Sequence, residues 1–145
     1  MGRLNHLIAI LALTFAVALV GRPALAQVSD ADRAAIRQVI EQQLQAFQHD
    51  DGPGAYAFAS PTIQKQFINA DVFMQMVKTG YPAVYRPRSV EFRELKTDNG
   101  MLIQQVFLIG PDGKPVLALY EMQQQPDGSW RINGCYITQP PDQNV

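Results

Sequence analysis

The stretch that decides the fold is PDGKPVLALYEMQQQPDGSW, residues 111–130, in which one turn formula occurs twice. Pro111-Asp112-Gly113 and Pro126-Asp127-Gly128 each place proline at the second and glycine at the fourth position of a tight turn. The residues that they frame, Val116 to Gln125, therefore predict a β-strand that lies between two hairpin turns.

The neighbouring segments extend this strand into a four-stranded antiparallel meander. Ser89 to Thr97 and Met101 to Ile109 are extended runs that meet at Asp98-Asn99-Gly100, a tight-turn signal. Ser129 to Thr138 is the fourth run. Pro140-Pro141 ends it, and we expect a loose tail over residues 140–145.

Both faces of this predicted sheet carry apolar residues. One face collects Val116, Ala118, Tyr120 and Met122 from the third strand and Trp130, Ile132, Gly134 and Tyr136 from the fourth. The opposite face is mixed, with Ile103, Phe107, Leu117, Leu119 and Ile137 among Gln105, Glu121 and Arg131. In an antiparallel sheet with one face in water, apolar and polar residues alternate more regularly along each strand. We therefore expect helices on the first face and a second copy of the chain on the other, as in a homodimer.

Helical patterns precede the strands. Ser29 caps a predicted amphipathic helix from Asp30 to Gln48, which ends before the glycines and proline of residues 52–54. Shorter pieces follow at Ala55 to Ala59, after the Ser60-Pro61 restart, and at Asn69 to Lys78. Helices followed by a curved meander predict an α+β domain over residues 27–139.

The connector between helices and sheet is GYPAVYRPRS, residues 80–89. Its two prolines fix two φ angles, which predicts an extended corner rather than a regular helix. Tyr81 and Tyr85 can cover the core edge while Arg86 or Arg88 lies over them or pairs with Glu91 or Glu94. The alternative interpretation makes the arginines a fork for a carboxylate or phosphate at a cavity mouth.

The amino terminus predicts export. Arg3 and His6 precede an apolar run from Leu7 to Val20, and residues 24–26 are Ala-Leu-Ala. This is the pattern of a Sec-type signal peptide, with cleavage expected after Ala26 and a periplasmic or secreted product without a membrane span. The run is shorter than the roughly 18 residues of a spanning helix.

Charge and cysteine content narrow the function classes. Cleavage would remove two arginines and lower the formal net charge from −1 to −3, without clusters of Lys or Arg, so we expect no nucleic-acid partner. Cys135 is the single cysteine, which rules out an intrachain disulfide and favours a buried thiol.

Other candidates for chemistry are sparse. His49, Asp50 and Asp51 are adjacent ligand types, but adjacent ligands at a helix end rarely converge, so neither a metal nor a cofactor is predicted. The polar side chains expected near an interior cavity are Tyr56, Tyr120, Tyr136, Glu121 and Asp71, and satisfied buried tyrosines are the alternative interpretation. Nucleotide-binding loops and nucleophile elbows are absent from the sequence.

The chain resembles a family of exported bacterial proteins of unknown function, DUF4864. The resemblance rests on residues 57–61 (AFASP), 80–92 (GYPAVYRPRSVEF), 118–120 (ALY) and 126–135 (PDGSWRINGC). It implies a shared structure and supplies no catalytic residue. The order of elements is also that of NTF2-like (cystatin-like) proteins.

Two functions from different classes follow. The first is a non-catalytic binding or interaction module whose apolar cavity, between helices and sheet, accepts a small apolar or carboxylate ligand or a protein segment. The second is a small isomerase or dehydratase that uses a carboxylate and a tyrosine in the same cavity. The candidate ligand-binding residues are Tyr56, Tyr81, Tyr85, Arg86, Arg88, Tyr120, Trp130 and Tyr136.

Overall fold

The structure, a computed structural model, describes residues 28–141. Within them the helices are α1 (Asp30–Gln48), α2 (Gly52–Ala57), α3 (Pro61–Gln66), α4 (Ala70–Gly80) and α5 (Pro82–Tyr85), and the strands are β1 (Ser89–Asp98), β2 (Met101–Ile109), β3 (Pro115–Gln124) and β4 (Trp130–Thr138). This order confirms the predicted α+β class. The predicted signal peptide and residues 142–145 of the predicted tail lie outside the described residues.

Side-chain caps start the first four helices. The Asp32 amide donates to Ser29 Oγ at 3.0 Å, and the Ile63 amide donates to Ser60 Oγ at 3.2 Å. Asp51 and Asn69 play the same role for α2 and α4. Each cap satisfies an amide that has no partner within its helix, which is why Ser, Asp and Asn stand at these starts.

The second helix corrects the sequence prediction. It begins at Gly52 rather than Ala55 and ends at Ala57. Pro53 fits the first turn of this new helix, because an amide hydrogen at that position would have no partner within the helix.

The sheet is antiparallel with the order β1-β2-β3-β4, which confirms the meander. Gly113 and Gly128 have φ of 77° and 85°, the left-handed region that the fourth position of these turns uses. In each turn the aspartate before the glycine accepts a backbone amide two residues on, at 3.0 Å for Lys114 and 2.9 Å for Ser129.

A bulge in β4 corrects the predicted pattern of faces. Glu121 pairs with Gly134 and Met122 pairs with Ile132, so Asn133 is an extra residue without a partner on β3. The bulge shifts the alternation by one position. Trp130 and Ile132 remain on the helix-facing side, but Gly134 and Tyr136 move to the opposite face, and Cys135 and Ile137 take their place.

The helices cover one face of the sheet. The buried core consists mainly of Ile36, Ile40, Leu44 and Phe47 from α1, Phe73 and Val77 from α4, and Val106, Leu108, Ala118, Tyr120 and Ile132 from the sheet. On the opposite face, Phe107 pairs with Leu117 and Leu119 pairs with Tyr136. We call this opposite face the outer face.

The corner between α4 and β1 is helical, so the predicted extended connector is wrong. Pro82 to Tyr85 form the single helical turn α5. Pro82 stands in its first turn, where the φ of proline is already helical and no hydrogen bond is lost. Tyr81 before it and Arg86 after it have non-helical ψ values of 55° and 64°, as expected of residues that precede proline.

No helix within residues 28–141 is long and apolar enough to cross a membrane.

Candidate functional site

A cavity of about 450 Å³ lies between the helices and β4. Its apolar wall includes Phe47, Ile63, Phe67, Phe73, Met76 and Val77. Its polar members are Gln43, Gln66, Tyr81, Tyr120, Asn133, Cys135 and Tyr136. No Asp, Glu, Lys, Arg or His of the described chain contributes to the wall. The volume lies in the range of about 300–1,000 Å³ that is typical of small-molecule sites.

Tyr120 is the most buried polar group of this wall. It comes from β3, its side chain is 1% exposed, and its hydroxyl has no oxygen or nitrogen partner within the described residues. The thiol of Cys135 lies beside the hydroxyl and is a weak hydrogen-bonding group. Burial raises the pKa of Tyr120 well above its ordinary value, so the phenol is neutral and retains its proton.

Cys135 is neutral as well. Its residue is half-buried at the edge of the sheet, but its thiol points into the protein. Burial raises the thiol pKa to about 12, although the contact with Tyr120 lowers it in part. A thiolate is therefore absent at neutral pH, and the thiol acts as a weak polar group rather than a nucleophile.

Tyr81 closes the site at the edge of β4. Its hydroxyl donates to the Cys135 carbonyl at 3.0 Å, on the side of β4 that faces away from β3. Burial, with smaller contributions from Cys135 and Tyr136, raises the pKa of Tyr81. Tyr81 also lines a second cavity of about 410 Å³, together with Pro82, Lys114 and Ile137.

A polar chain fixes the bulge beside the cavity. Ser60 Oγ donates to Asn133 Oδ1 at 2.7 Å, and Asn133 Nδ2 donates to Glu121 Oε1 at 2.8 Å. The Ser60 amide also donates to the Ile132 carbonyl at 2.8 Å, which joins the start of α3 to β4. The carboxylate of Glu121 is thus held by an amide and stands outside the cavity wall.

The tyrosine and arginine of the corner form a clamp on α1, which we call the α1 clamp: Tyr85, Arg86 and Asp50. The Arg86 guanidinium lies 4.0 Å from the centre of the Tyr85 ring and donates to the Phe47 carbonyl at the end of α1. It also binds Asp50 Oδ2 at 3.1 Å, and the Tyr85 hydroxyl donates to Asp50 Oδ1. Of the two predicted alternatives, stacking is the one found, for Arg86 on Tyr85, and the carboxylate that Arg86 binds is Asp50 rather than Glu91 or Glu94.

The α1 clamp also explains an unusual backbone. Asp50 has φ of 53°, a left-handed conformation that costs most residues about 1–2 kcal/mol. The hydrogen bond from Tyr85, followed by the charge of Arg86, lowers the pKa of the Asp50 carboxyl. Both terminal nitrogens of Arg86 are bonded within the protein, and neither Arg86 nor Arg88, the arginines of the alternative carboxylate fork, is among the residues that line the cavity.

The remaining predicted site residues lie elsewhere. The Tyr56 hydroxyl lies 2.5 and 2.6 Å from the Gln64 and Phe67 carbonyl oxygens, which share its single hydrogen. Trp130 Nε1 donates to Asp32 Oδ1 at 3.1 Å, near the start of α1. Arg88 is exposed beside the turn at Gly113. Of the eight candidates, Tyr81, Tyr120 and Tyr136 line the cavity, with Tyr136 at its edge because its side chain lies on the outer face.

The cavity also contains residues that the sequence analysis did not nominate. Gln43 of α1 is 4% exposed and donates from Nε2 to the Ala55 carbonyl at 3.1 Å, which leaves Oε1 able to accept. A glutamine in the middle of an apolar helix face is the signal that could have found it. Asn133 enters the wall through the bulge, which alternation alone does not reveal.

The described residues do not form a metal site. His49 Nδ1 contacts the Gln45 carbonyl at 2.8 Å, on the exposed end of α1. Within residues 28–141 no group of three His, Cys, Asp or Glu side chains is arranged to hold a metal ion.

Residues 29–145 match the model of a family described as a domain of unknown function, DUF4864. A crystal structure of an NTF-2 like protein of unknown function from Burkholderia xenovorans LB400 is similar over 74% of this chain and 86% of that chain, with 15% identity and a TM-score of 0.46. A likeness at this level carries no argument about the site. Comparison with curated proteins gives no match.

Proposed function

We propose a function for this chain from its own site, because the chain belongs to DUF4864, a domain family of unknown function. The proposed function is that of an exported, non-catalytic binding module that holds a small molecule in the cavity between helices and β4. Export is proposed from the predicted signal peptide. The periplasm or the extracellular medium is the proposed location.

The observation that carries the proposal is a cavity of ligand size with an uncharged wall. Its volume of about 450 Å³ suits a small molecule, and its apolar rings give the contact area that burial of such a molecule needs. An isomerase or dehydratase would need a carboxylate or histidine within hydrogen-bond reach of its substrate. The described residues of the wall offer none, so the proposal favours binding over catalysis.

The proposal includes a homodimer through the outer face. Phe107, Leu117 and Leu119 form an apolar stripe on that face, in which Phe107 and Leu119 are half-buried and Leu117 is buried, with Tyr136 59% exposed at its edge. A two-fold axis would place this stripe against its own copy and remove it from water on both subunits.

Native mass spectrometry of protein purified from the periplasm tests binding and assembly together. The expected species is a dimer whose subunits start at Gln27 and retain a reproducible small mass. Met76→Trp, which places a large ring at the cavity wall, should release that mass. Ile68→Trp is the matched control, because Ile68 is 89% exposed and outside the wall. A bare protein, or equal retention by both variants, would contradict the binding proposal.

A further inference from the structure

We infer that the ligand of this cavity is an uncharged lipophilic molecule with a hydrogen-bond acceptor such as a carbonyl or ether oxygen, and that Tyr120 donates the hydrogen bond to it. This inference rests on the proposed function and names the chemical class that the same cavity takes.

The first step is the unpaired hydroxyl. Nearly all buried side-chain polar atoms in folded proteins have a partner, and a buried group without one destabilises the protein. The three other tyrosines that come from the helices and the corner all donate, Tyr56 and Tyr81 to carbonyls and Tyr85 to Asp50. Tyr120 alone among these four has only a thiol beside it, and Tyr120 lies in the cavity wall.

The second step is the direction of the hydrogen bond. A tyrosine hydroxyl can donate or accept. The neighbouring Cys135 thiol keeps its proton, because burial raises its pKa to about 12. A thiol sulfur is only a weak acceptor, so the phenol proton beside it still lacks a good acceptor. A ligand oxygen that accepts meets this need.

The third step is charge. A carboxylate that enters an apolar site loses its hydration, and this loss is large unless a cation or several donors replace the water. The cavity wall within the described chain has no cation, and Arg86 is held in the α1 clamp. Of the ligand classes predicted from the sequence, the wall therefore selects the small apolar one and disfavours the carboxylate.

The test compares three probes of nearly equal size by isothermal titration calorimetry: 2-acetylnaphthalene, 2-ethylnaphthalene and 2-naphthoate. The expected order in the unmodified mature protein is ketone tightest, hydrocarbon about three- to ten-fold weaker, which corresponds to one hydrogen bond, and carboxylate weakest. Tyr120→Phe should bring the ketone and hydrocarbon to equal affinity. Tyr85→Phe also removes one tyrosine hydroxyl, but outside the cavity, and should keep the preference for the ketone.

A second measurement does not depend on any variant. The infrared carbonyl band of the bound ketone should shift to lower wavenumber than in a hydrocarbon solvent, as expected of a hydrogen-bonded carbonyl. An unshifted band, tightest binding by 2-naphthoate, or a ketone preference that survives in Tyr120→Phe would overturn the ligand class and leave the binding function in place. If none of the three probes binds, the proposed function fails, and this inference fails with it.

Discussion

Tyr120→Phe is expected to stabilise the unliganded protein, although it removes a polar atom from the centre of the fold. A buried hydroxyl without a good partner costs about 1–3 kcal/mol relative to water. Phenylalanine removes that cost and gives up the weak contact with Cys135 and the packing of one oxygen atom. The expected net gain in the free energy of unfolding is about 1 kcal/mol, or a rise in melting temperature of about 4 °C for a domain of this size.

The matched control is the same substitution at Tyr81. Its hydroxyl donates to the Cys135 carbonyl at 3.0 Å, so Tyr81→Phe loses a formed hydrogen bond and leaves that carbonyl without its donor. The expected loss is about 1 kcal/mol, opposite in sign to the effect at Tyr120. Urea unfolding of the mature protein, followed by circular dichroism, measures both free energies. If Tyr120→Phe destabilises the protein as much as Tyr81→Phe does, the Tyr120 hydroxyl has a partner and the reasoning from an unpaired group is refuted.

Four further outcomes are expected. Arg86→Ala should lower the free energy of unfolding by about 1–2 kcal/mol, because the stacking on Tyr85 and the contact with the end of α1 are lost. The control Arg88→Ala should change it by less than about 0.5 kcal/mol. Equal effects of the two substitutions in urea unfolding would contradict the α1 clamp. The pKa of the Asp50 carboxyl is lowered in the folded state, so its contribution to stability is full above its ordinary value of about 4 and is lost as the pH falls through the lowered value. Asp50→Asn should therefore flatten the fall of melting temperature on acidification, and an unchanged slope would count against this assignment. Leu119→Asp should give a monomer in sedimentation at micromolar concentration. Gln124→Asp, at an exposed position on the helix-facing side of the same strand, should remain a dimer. A monomeric unmodified protein would remove the outer-face argument. Intact mass of the secreted product should correspond to a start at Gln27, and retention of residues 1–26 would contradict the predicted cleavage.

Local signals in the sequence predicted much of the fold. The bounds of α1 follow from the cap at Ser29 and from the break before Gly52, and both are interactions between residues close in the chain. The two Pro-Asp-Gly turns set the limits of β3 to within one residue because each aspartate and glycine acts on its own turn. Such contacts can be inferred from a single sequence.

The corner shows why the rest could not be predicted. Proline signals both the end of one helix and the first turn of the next, and the sequence around Pro82 does not distinguish these roles. The partner of Arg86 is Asp50, 36 residues away in the chain, rather than Glu91 or Glu94, which are near in sequence. Only the docking of α5 against the end of α1 makes that pair.

The bulge at Asn133 explains both why the predicted alternation of faces along β4 is wrong and why the cavity has its present polar groups. Strict alternation puts Tyr136 on the helix-facing side and Cys135 on the outer face, because each residue of a strand faces opposite to the next. The extra residue reverses this order after Ile132 and brings the thiol beside Tyr120, while Tyr136 moves to the exposed edge. Since the thiol is a poor acceptor, the bulge leaves the Tyr120 hydroxyl without a strong partner. With glutamate or histidine at position 135, the same geometry would give the cavity a titratable group in contact with a phenol, which is the minimum for acid–base chemistry. Cysteine at that position keeps the cavity neutral, and a neutral cavity with one unpaired donor is suited to holding a molecule rather than transforming it.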